Sequence, residues 1–226
     1  MNKQLFENKN EKHIVNIKKI SNKEEKIELA KKIVCKVKDG QVIGFGSGST
    51  SYLTAIEIGK LVKEKGWSIK AIPTSSEIEE VCKQYGIEIG SLVEDDIDWA
   101  FDGADEVDSN KNMIKGMGAA MFKEKLNIIS SPVTYILVDK SKLVENLGEK
   151  HPVPVEVFPT AMKFVANELT KIGAIKTVYR GMTENNNAIL DTKFKIITED
   201  LEKQIKIISG VIESGLFINY DVEIIN

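Results

Sequence analysis

Apolar positions along this chain follow two periods in alternation. Ile27, Ala30, Ile33, Val34 and Val37 recur every three or four residues, which predicts an amphipathic helix. Ser21 with Glu24 reads as its capping box and Gly40 as its stop. A short apolar strand follows at 41–45, and Leu53, Ile56, Gly59 and Val62 mark a second helix. The pattern then repeats with a strand at 69–72, a helix over 77–85, strands at 87–89 and 97–101, a helix from about Gly118, and a strand at 134–138. Thr74, Ser75 and Ser76 stand before the third helix and read first as its caps, with ligand contact as the alternative. Strands alternating with helices predict a parallel sheet with right-handed crossovers. From His151 the texture changes. Three prolines surround a short strand, a helix follows over 160–172, short strands at 175–179, 188–190 and 194–197, and a helix from about Asp200. That mixture predicts a small α+β unit, with 210–217 and 222–225 returning to the large sheet. The expected organisation is a polar extension at 1–20, a main α/β domain of 21–150 with about 208–226, and a small domain of about 151–207.

Two turns in this pattern carry candidate chemistry. The first is Gly44-Phe45-Gly46-Ser47-Gly48-Ser49-Thr50, where a strand runs into a helix. Alternating glycines and hydroxyls at a helix start offer N–H and O–H donors to a phosphate. No Lys precedes the hydroxyls, so this is no Walker A loop, and G-x-G-x-G is not the dinucleotide spacing. A tight turn that brings helix and strand together is the plainer alternative.

The second stretch, 98–125, is the one around which the chain is organised. The strand at 97–101 ends in Asp102-Gly103-Ala104-Asp105-Glu106, where ligands of open parallel sheets bind. Taken alone, such an acidic turn is most simply a solvated one. Lys115-Gly116-Met117-Gly118 follows, with a helix start that suits an oxyanion. Met117, Met121, Glu124 and Ile128 are spaced to share one helix face, and no Lys or Arg stands at 120, 121, 127 or 128. A carboxylate on an apolar face tends to a raised pKa, as a general base near neutral pH requires, and the plainer alternative is a Glu at the edge of that face reaching water. Asp108-x-Asn110-x-Asn112 imitates a calcium loop, but Met113 and Ala119 replace its Gly and Glu.

Composition removes several classes of function. A net charge of −3 lacks the basic footprint of a nucleic-acid binder. No apolar run reaches membrane-spanning length, and the first residues lack the apolar core of a secretory signal, so a cytoplasmic address is expected. Cys35 and Cys82 each fall in a helix and are expected to be buried reduced thiols. Only His13 and His151 are present, neither near a nucleophile turn, and no zinc motif occurs. Carboxylates and lysines are therefore left to do any acid–base work.

As a set, these residues resemble the A-type ribose-5-phosphate isomerase family. The resemblance rests on Gly-Ser-Gly-Ser-Thr at 46–50, Asp-Gly-Ala-Asp-Glu at 102–106, Met-Ile-Lys-Gly-x-Gly-Ala-Ala at 113–120 and Lys123-Glu124-Lys125. It continues with Asp139-x-Ser141-Lys142, Pro152-Val153-Pro154-Val155-Glu156-Val157, Ile189-Leu190-Asp191, Gly210-Val211-Ile212 and Gly215-Leu216-Phe217. The resemblance implies a Rossmann-like, doubly wound, mostly parallel sheet with a smaller α+β domain. It implies interconversion of D-ribose 5-phosphate and D-ribulose 5-phosphate with no metal or cofactor, in a homodimer or homotetramer.

Carried over by position, Glu124 is the base, and Asp102 and Asp105, with Gly103 and Ala104 between them, contact the sugar. Lys115 and the backbone of Gly116, Met117 and Gly118 steady the enediolate. Ser47, Gly48, Ser49, Thr50, Lys142 and Lys26 bind substrate, chiefly its phosphate. Two departures stand out: Met117 replaces a usual glycine, and Thr183-Glu184-Asn185-Asn186-Asn187 replaces Thr-Asp-Asn-Gly-Asn. Two other readings stay open: a sugar-phosphate sensor without catalysis, since sensing domains share the architecture, and an isomerase of another sugar phosphate, which the same base and enediolate stabilisers would serve. Nothing in the chain argues for a purely structural protein.

Overall fold

A computed structural model describes residues 20–226. The polar extension expected at 1–20 lies outside them except for Ile20. In chain order the first elements are α1 (Lys23–Val34), β1 (Val42–Phe45), α2 (Gly48–Lys65), β2 (Lys70–Pro73), α3 (Ser76–Gln84) and β3 (Glu88–Ile89). Next come β4 (Trp99–Gly103), β5 (Glu106–Val107), β6 (Met113–Ile114), α4 (Met121–Ile129) and β7 (Thr134–Leu137). The last are β8 (Val153–Val157), α5 (Met162–Lys171), β9 (Ala174–Met182), β10 (Ala188–Phe194), α6 (Leu201–Lys206), β11 (Val211–Ser214), β12 (Leu216–Phe217) and β13 (Glu223–Ile225).

The described residues fall into two compact units that interleave along the chain. The sheet unit holds 20–104, Lys123–Leu143 and Tyr220–Asn226; the second holds Asp105–Phe122 and Val144–Asn219. The sheet unit is built on six parallel strands in the order β13-β7-β4-β1-β2-β3. The chain winds outward from β1 through β2 and β3, returns past β1 to β4, and continues outward. Strand order therefore reverses between β1 and β4, the place where ligands of such sheets bind. Both strands are buried: Ile43 and Phe45 on β1 are 0% exposed, and the Phe45 and Phe101 rings meet edge to face at 4.9 Å. Leu29 and Ile33 of α1, Ala55, Ile58 and Val62 of α2, and Ile78 and Val81 of α3 complete this core. Each large side chain so buried contributes about 1.5–3 kcal/mol.

Several local expectations shift. The N-cap of α1 is Asn22, not Ser21; it is left-handed at φ 51, a conformation Asn tolerates, and its side chain caps nothing. The helix stops at Val34, well before Gly40, which leaves Cys35 past its apolar face and exposed, not buried. Cys82 is buried as expected, and burial, with the charge of Glu79, pushes its thiol up to about 12. Ser75 caps α3 by accepting the Ile78 N–H. The central strand lies two residues later than 97–101 because pairing to β1 begins at Trp99 and pairing to β7 runs through Gly103.

The second unit holds a four-stranded antiparallel sheet, β11-β8-β10-β9, and a three-stranded one, β12-β6-β5. Val155, Val157, Val165, Leu169, Leu190, Leu201 and Ile205 form its core. The boundaries expected at 150 and 208 differ from this division for a reason of long-range pairing. β5 and β6 pair with each other and β12 pairs with β6, which draws 105–122 into this unit. Of the segments expected to return to the large sheet, β11 joins β8 instead, and only β13 rejoins, beside β7. The strand expected at 194–197 is absent; β10 is one ladder ending at Phe194. Asn186 takes the left-handed position (φ 60) of the 183–187 turn, a conformation Asn tolerates, so no glycine is needed there.

Glu106 anchors the unit rather than lying in a solvated turn. It is 0% exposed and accepts the N–H groups of Gly148, Lys150 and His151 at 2.6–2.7 Å. Asp108 closes its own turn by accepting the N–H groups of Asn110 and Asn112 and the Asn112 side-chain amide.

Candidate active site

The sheet unit places one group of candidate residues at the strand-order reversal. Only Gly46 and Ser47 separate β1 from α2. Gly46 is needed there, because a Cβ would stand 2.1 Å from Asp102 Cγ and Oδ1. Asp102, on β4, is 3% exposed. Its Oδ1 accepts the Ser47 N–H at 3.1 Å, the Ser51 hydroxyl at 3.3 Å and the Gly103 N–H at 2.7 Å. Ser47 Oγ shares a 2.6 Å hydrogen bond with Thr74 Oγ1, just past β2. Gly48, at φ 84, takes the left-handed step that opens the helix. Ser49 and Thr50 occupy the first turn of an 18-residue helix. Its leading N–H groups and partial positive charge favour an anion.

Lys26 reaches this helix start, and Lys142 lies close enough for its charge to act on Lys26. Lys26 of α1 is 4% exposed and donates from Nζ to Ser49 Oγ at 2.9 Å. Burial lowers its pKa; the Asp139 carboxylate opposes this, and the charge of Lys142 adds to the lowering. Asp139 caps the 3-10 turn Lys140–Lys142 and accepts both the N–H and the hydroxyl of Ser141. Burial works to raise its pKa, but the Ser141 hydrogen bonds and the charge of Lys26 outweigh it and hold the carboxyl below its usual range. The two cations repel each other, which is why the charge of Lys142 lowers the Lys26 pKa further.

Glu124 stands in the first turn of α4, 4% exposed, with Met121 and Ile128 buried at helical spacing from it. α4 begins at Met121 rather than near Gly118, so Met117 does not share this face. Ala119 is left-handed at φ 63 and gives its N–H to the Gly116 carbonyl at 3.0 Å, which is turn geometry rather than helix. The anion-favouring N–H groups expected at Gly118 thus belong to a loop, not to a helix end.

The second unit carries that loop. Lys115 is 2% exposed, its Nζ lies 5.6 Å from the centre of the Phe217 ring, and its N–H donates to Gly215 O at 2.9 Å. Glycine is required at 215, since a Cβ there would meet Lys115 O at 2.2 Å. Gly116 is left-handed at φ 96. Asp105 accepts the Met117 N–H at 3.1 Å. On the carbonyl side, Arg180 of β9 donates from Nη2 to Gly116 O at 2.9 Å and from Nη1 to Met117 O at 2.6 Å. Asp191 of β10 holds the same guanidinium through Nε at 3.0 Å. Among the described residues, no three His, Cys, Asp or Glu side chains are grouped as a metal ion needs.

The candidate residues thus gather in two sets. Lys26, Ser47, Gly48, Ser49, Thr50, Asp102, Gly103, Ala104, Glu124 and Lys142 lie in the sheet unit, and Asp105, Lys115, Gly116, Met117 and Gly118 in the second.

The profile of the family described as ribose 5-phosphate isomerase A (phosphoriboisomerase A) matches residues 70–226. The chain belongs to the ribose 5-phosphate isomerase A family. The ribose-5-phosphate isomerase A of Methanocaldococcus jannaschii is 41% identical over 211 residues, covering 89% of this chain and 93% of that one. Ribose-5-phosphate isomerase A 1 of Oceanobacillus iheyensis is 40% identical over 214 residues, 90% of this chain and 95% of the relative. The solved M. jannaschii structure superposes with a TM-score of 0.86 over 90% of this chain and 95% of its own. A ribose-5-phosphate isomerase solved with phospho-erythronic acid is 38% identical, with a TM-score of 0.84 over 89% of this chain and 94% of its own.

Two residues gain importance only from the fold. Thr74 reads in the sequence as a cap or a ligand contact, and the pairing of β1 with β2 brings it to Ser47. Arg180 carries one signal in the sequence: it is the single arginine among 31 basic residues.

Proposed function

We propose that this member of the ribose 5-phosphate isomerase A family interconverts D-ribose 5-phosphate and D-ribulose 5-phosphate. The observation that carries the reading is the hydrogen bond of buried Lys26 to Ser49 at the start of α2, with the charge of Lys142 acting on Lys26, in the unit that also holds the buried Glu124. The phosphate binds at the lysines and the helix start. With the sugar chain open, the Glu124 carboxylate takes the proton from C2. The electron pair forms the C1–C2 double bond, and the C1 oxygen takes up negative charge. Lys115 and the N–H groups of its loop stabilise that oxyanion. A proton passes from O2 to O1, and Glu124 returns its proton to C1. Asp105 contacts the sugar, and Asp102 orders the phosphate loop through Ser47 and Ser51 while serving the sugar hydroxyls. None of these steps calls for a metal or cofactor. The sensor reading is not favoured, since the base, both aspartates and the lysine are all retained.

The test is formation of ribulose 5-phosphate from ribose 5-phosphate by the purified protein with EDTA present. Turnover supports the reading, while saturable binding without turnover replaces it with the sensor. Slow turnover of ribose 5-phosphate beside fast turnover of another aldose phosphate reassigns the substrate. We also propose a homodimer or homotetramer in the cytoplasm, which sedimentation and cell fractionation check; no described helix is long and apolar enough to cross a membrane.

Lys26 gives a pH prediction. Burial lowers its pKa, so it loses its proton at a lower pH than an ordinary lysine. The charged form is disfavoured by folding. Its cost to stability is therefore fully present below the lowered pKa and fades as pH rises from there to the ordinary lysine value. Phosphate affinity runs the other way, because the ligand needs the cation. KM for ribose 5-phosphate is expected to climb as pH rises through this range, and Lys26→Met to raise KM by about tenfold or more at neutral pH and to flatten that climb. A KM profile that Lys26→Met leaves unchanged removes Lys26 from the phosphate site.

A further inference from the structure

The loop 115–118 is gripped on its carbonyl side by a residue to which the mechanism above gives no task. Arg180 spends two donors on successive carbonyls, Gly116 O and Met117 O, and a third on Asp191. Arg180 and Asp191 keep only 20% and 17% of their side-chain surface exposed. Burial raises the Asp191 pKa, the Arg180 charge opposes that, and the charge of Asp105 adds to the rise. The guanidinium therefore serves one carboxylate and two carbonyls at once.

A trans peptide unit directs its C=O and N–H to opposite sides. With the Met117 carbonyl turned to Arg180, the N–H of the same unit, on Gly118, is turned away from Arg180. Gly118 is exposed. The preceding unit is held at both ends, its carbonyl on Gly116 by Arg180 and its N–H on Met117 by Asp105. A cation on a carbonyl also polarises the N–H across the same unit and makes it a stronger donor.

We propose that Arg180, braced by Asp191, is a positioning residue for the isomerisation: it fixes and polarises the Met117–Gly118 peptide so that the Gly118 N–H is a preset donor to the oxyanion. This rests on the assignment of the 115–118 loop to enediolate stabilisation. Lysine cannot reproduce the grip, since it offers a point charge in place of a planar fork.

The experiment measures kcat, KM and thermal midpoint for wild type, Arg180→Lys, Arg180→Ala and Lys176→Met. Lys176 lines a cavity with Asp191, so its variant controls for loss of nearby positive charge. Arg180→Lys is expected to lower kcat by about tenfold and Arg180→Ala by about a hundredfold, with KM little changed, approaching the loss of an oxyanion donor itself. Guanidinium ion at sub-denaturing concentration is expected to restore part of the Arg180→Ala rate, and Lys176→Met to match wild type. Unchanged kcat in both Arg180 variants overturns the proposal, as does a loss that appears only in KM. A loss that guanidinium does not restore and that follows a fall in thermal midpoint assigns Arg180 a structural role instead, as does failure of both variants to fold. Wild type without turnover sinks the isomerase reading itself, whereas an active wild type with indifferent Arg180 variants sinks the clamp alone.

Discussion

Glu124→Gln is expected to lower kcat by about a hundredfold to ten-thousandfold, the range over which a positioned general base contributes. The substitution keeps the shape and nearly the volume of the side chain, and it removes the ability to accept a proton from carbon. Glu124 is buried in the first turn of α4, a place that a glutamine of nearly equal volume can fill. Stability is expected to move little, and KM to stay near wild type, since the proposed mechanism gives the phosphate to other residues. The measurement is the initial rate of ribulose 5-phosphate formation, paired with exchange of the C2 proton in heavy water. Loss of both turnover and exchange identifies the proton-transfer step. A variant that exchanges at the wild-type rate would show that another group removes the proton.

Local periodicity makes much of this structure legible in the sequence. Helices separate β1 from β2, β2 from β3 and β6 from β7 as the apolar spacing predicts, and six strands pair in parallel. The glycine-rich turn and Glu124 are both legible, one from its composition and one from a carboxylate at an apolar position. What is illegible depends on pairing between distant segments. Nothing near 105–122 announces that β12, far later in the chain, will pair with β6 and draw this stretch into the second unit. The late start of α4 follows from left-handed Ala119, a residue type whose propensity predicts the opposite. In the sequence Asp102 reads as a sugar contact; its grip on Ser47 and Ser51 emerges only when β1 and β4 lie side by side. Arg180 is sixty-three residues from Met117, and no sequence pattern links a side chain to a distant carbonyl.

Gly46→Ala is expected to damage substrate binding and stability together. The new Cβ would lie 2.1 Å from Asp102 Cγ and Oδ1 and 2.6 Å from Asp102 Cα. Rotating the Asp102 side chain relieves only the first two contacts. The third is backbone, and β4 is held in place by its ladder to β1, where Phe45 pairs with Phe101. The strands must part or the turn must move, at a cost of about 1–3 kcal/mol or more for overpacking a tight interior. Either shift pulls Ser47 from Asp102 and disturbs the helix start on which Lys26 and Ser49 converge. Gly48→Ala is the informative comparison. A Cβ there meets nothing within 4 Å, but φ is 84, so about 1–2 kcal/mol of backbone strain is its whole cost. Thermal melts of the two variants should thus show losses of similar order. KM for ribose 5-phosphate should separate them, rising by about tenfold or more in Gly46→Ala and much less in Gly48→Ala. Equal KM values in the two variants would mean that the Gly46–Asp102 contact shapes the fold without shaping the phosphate site.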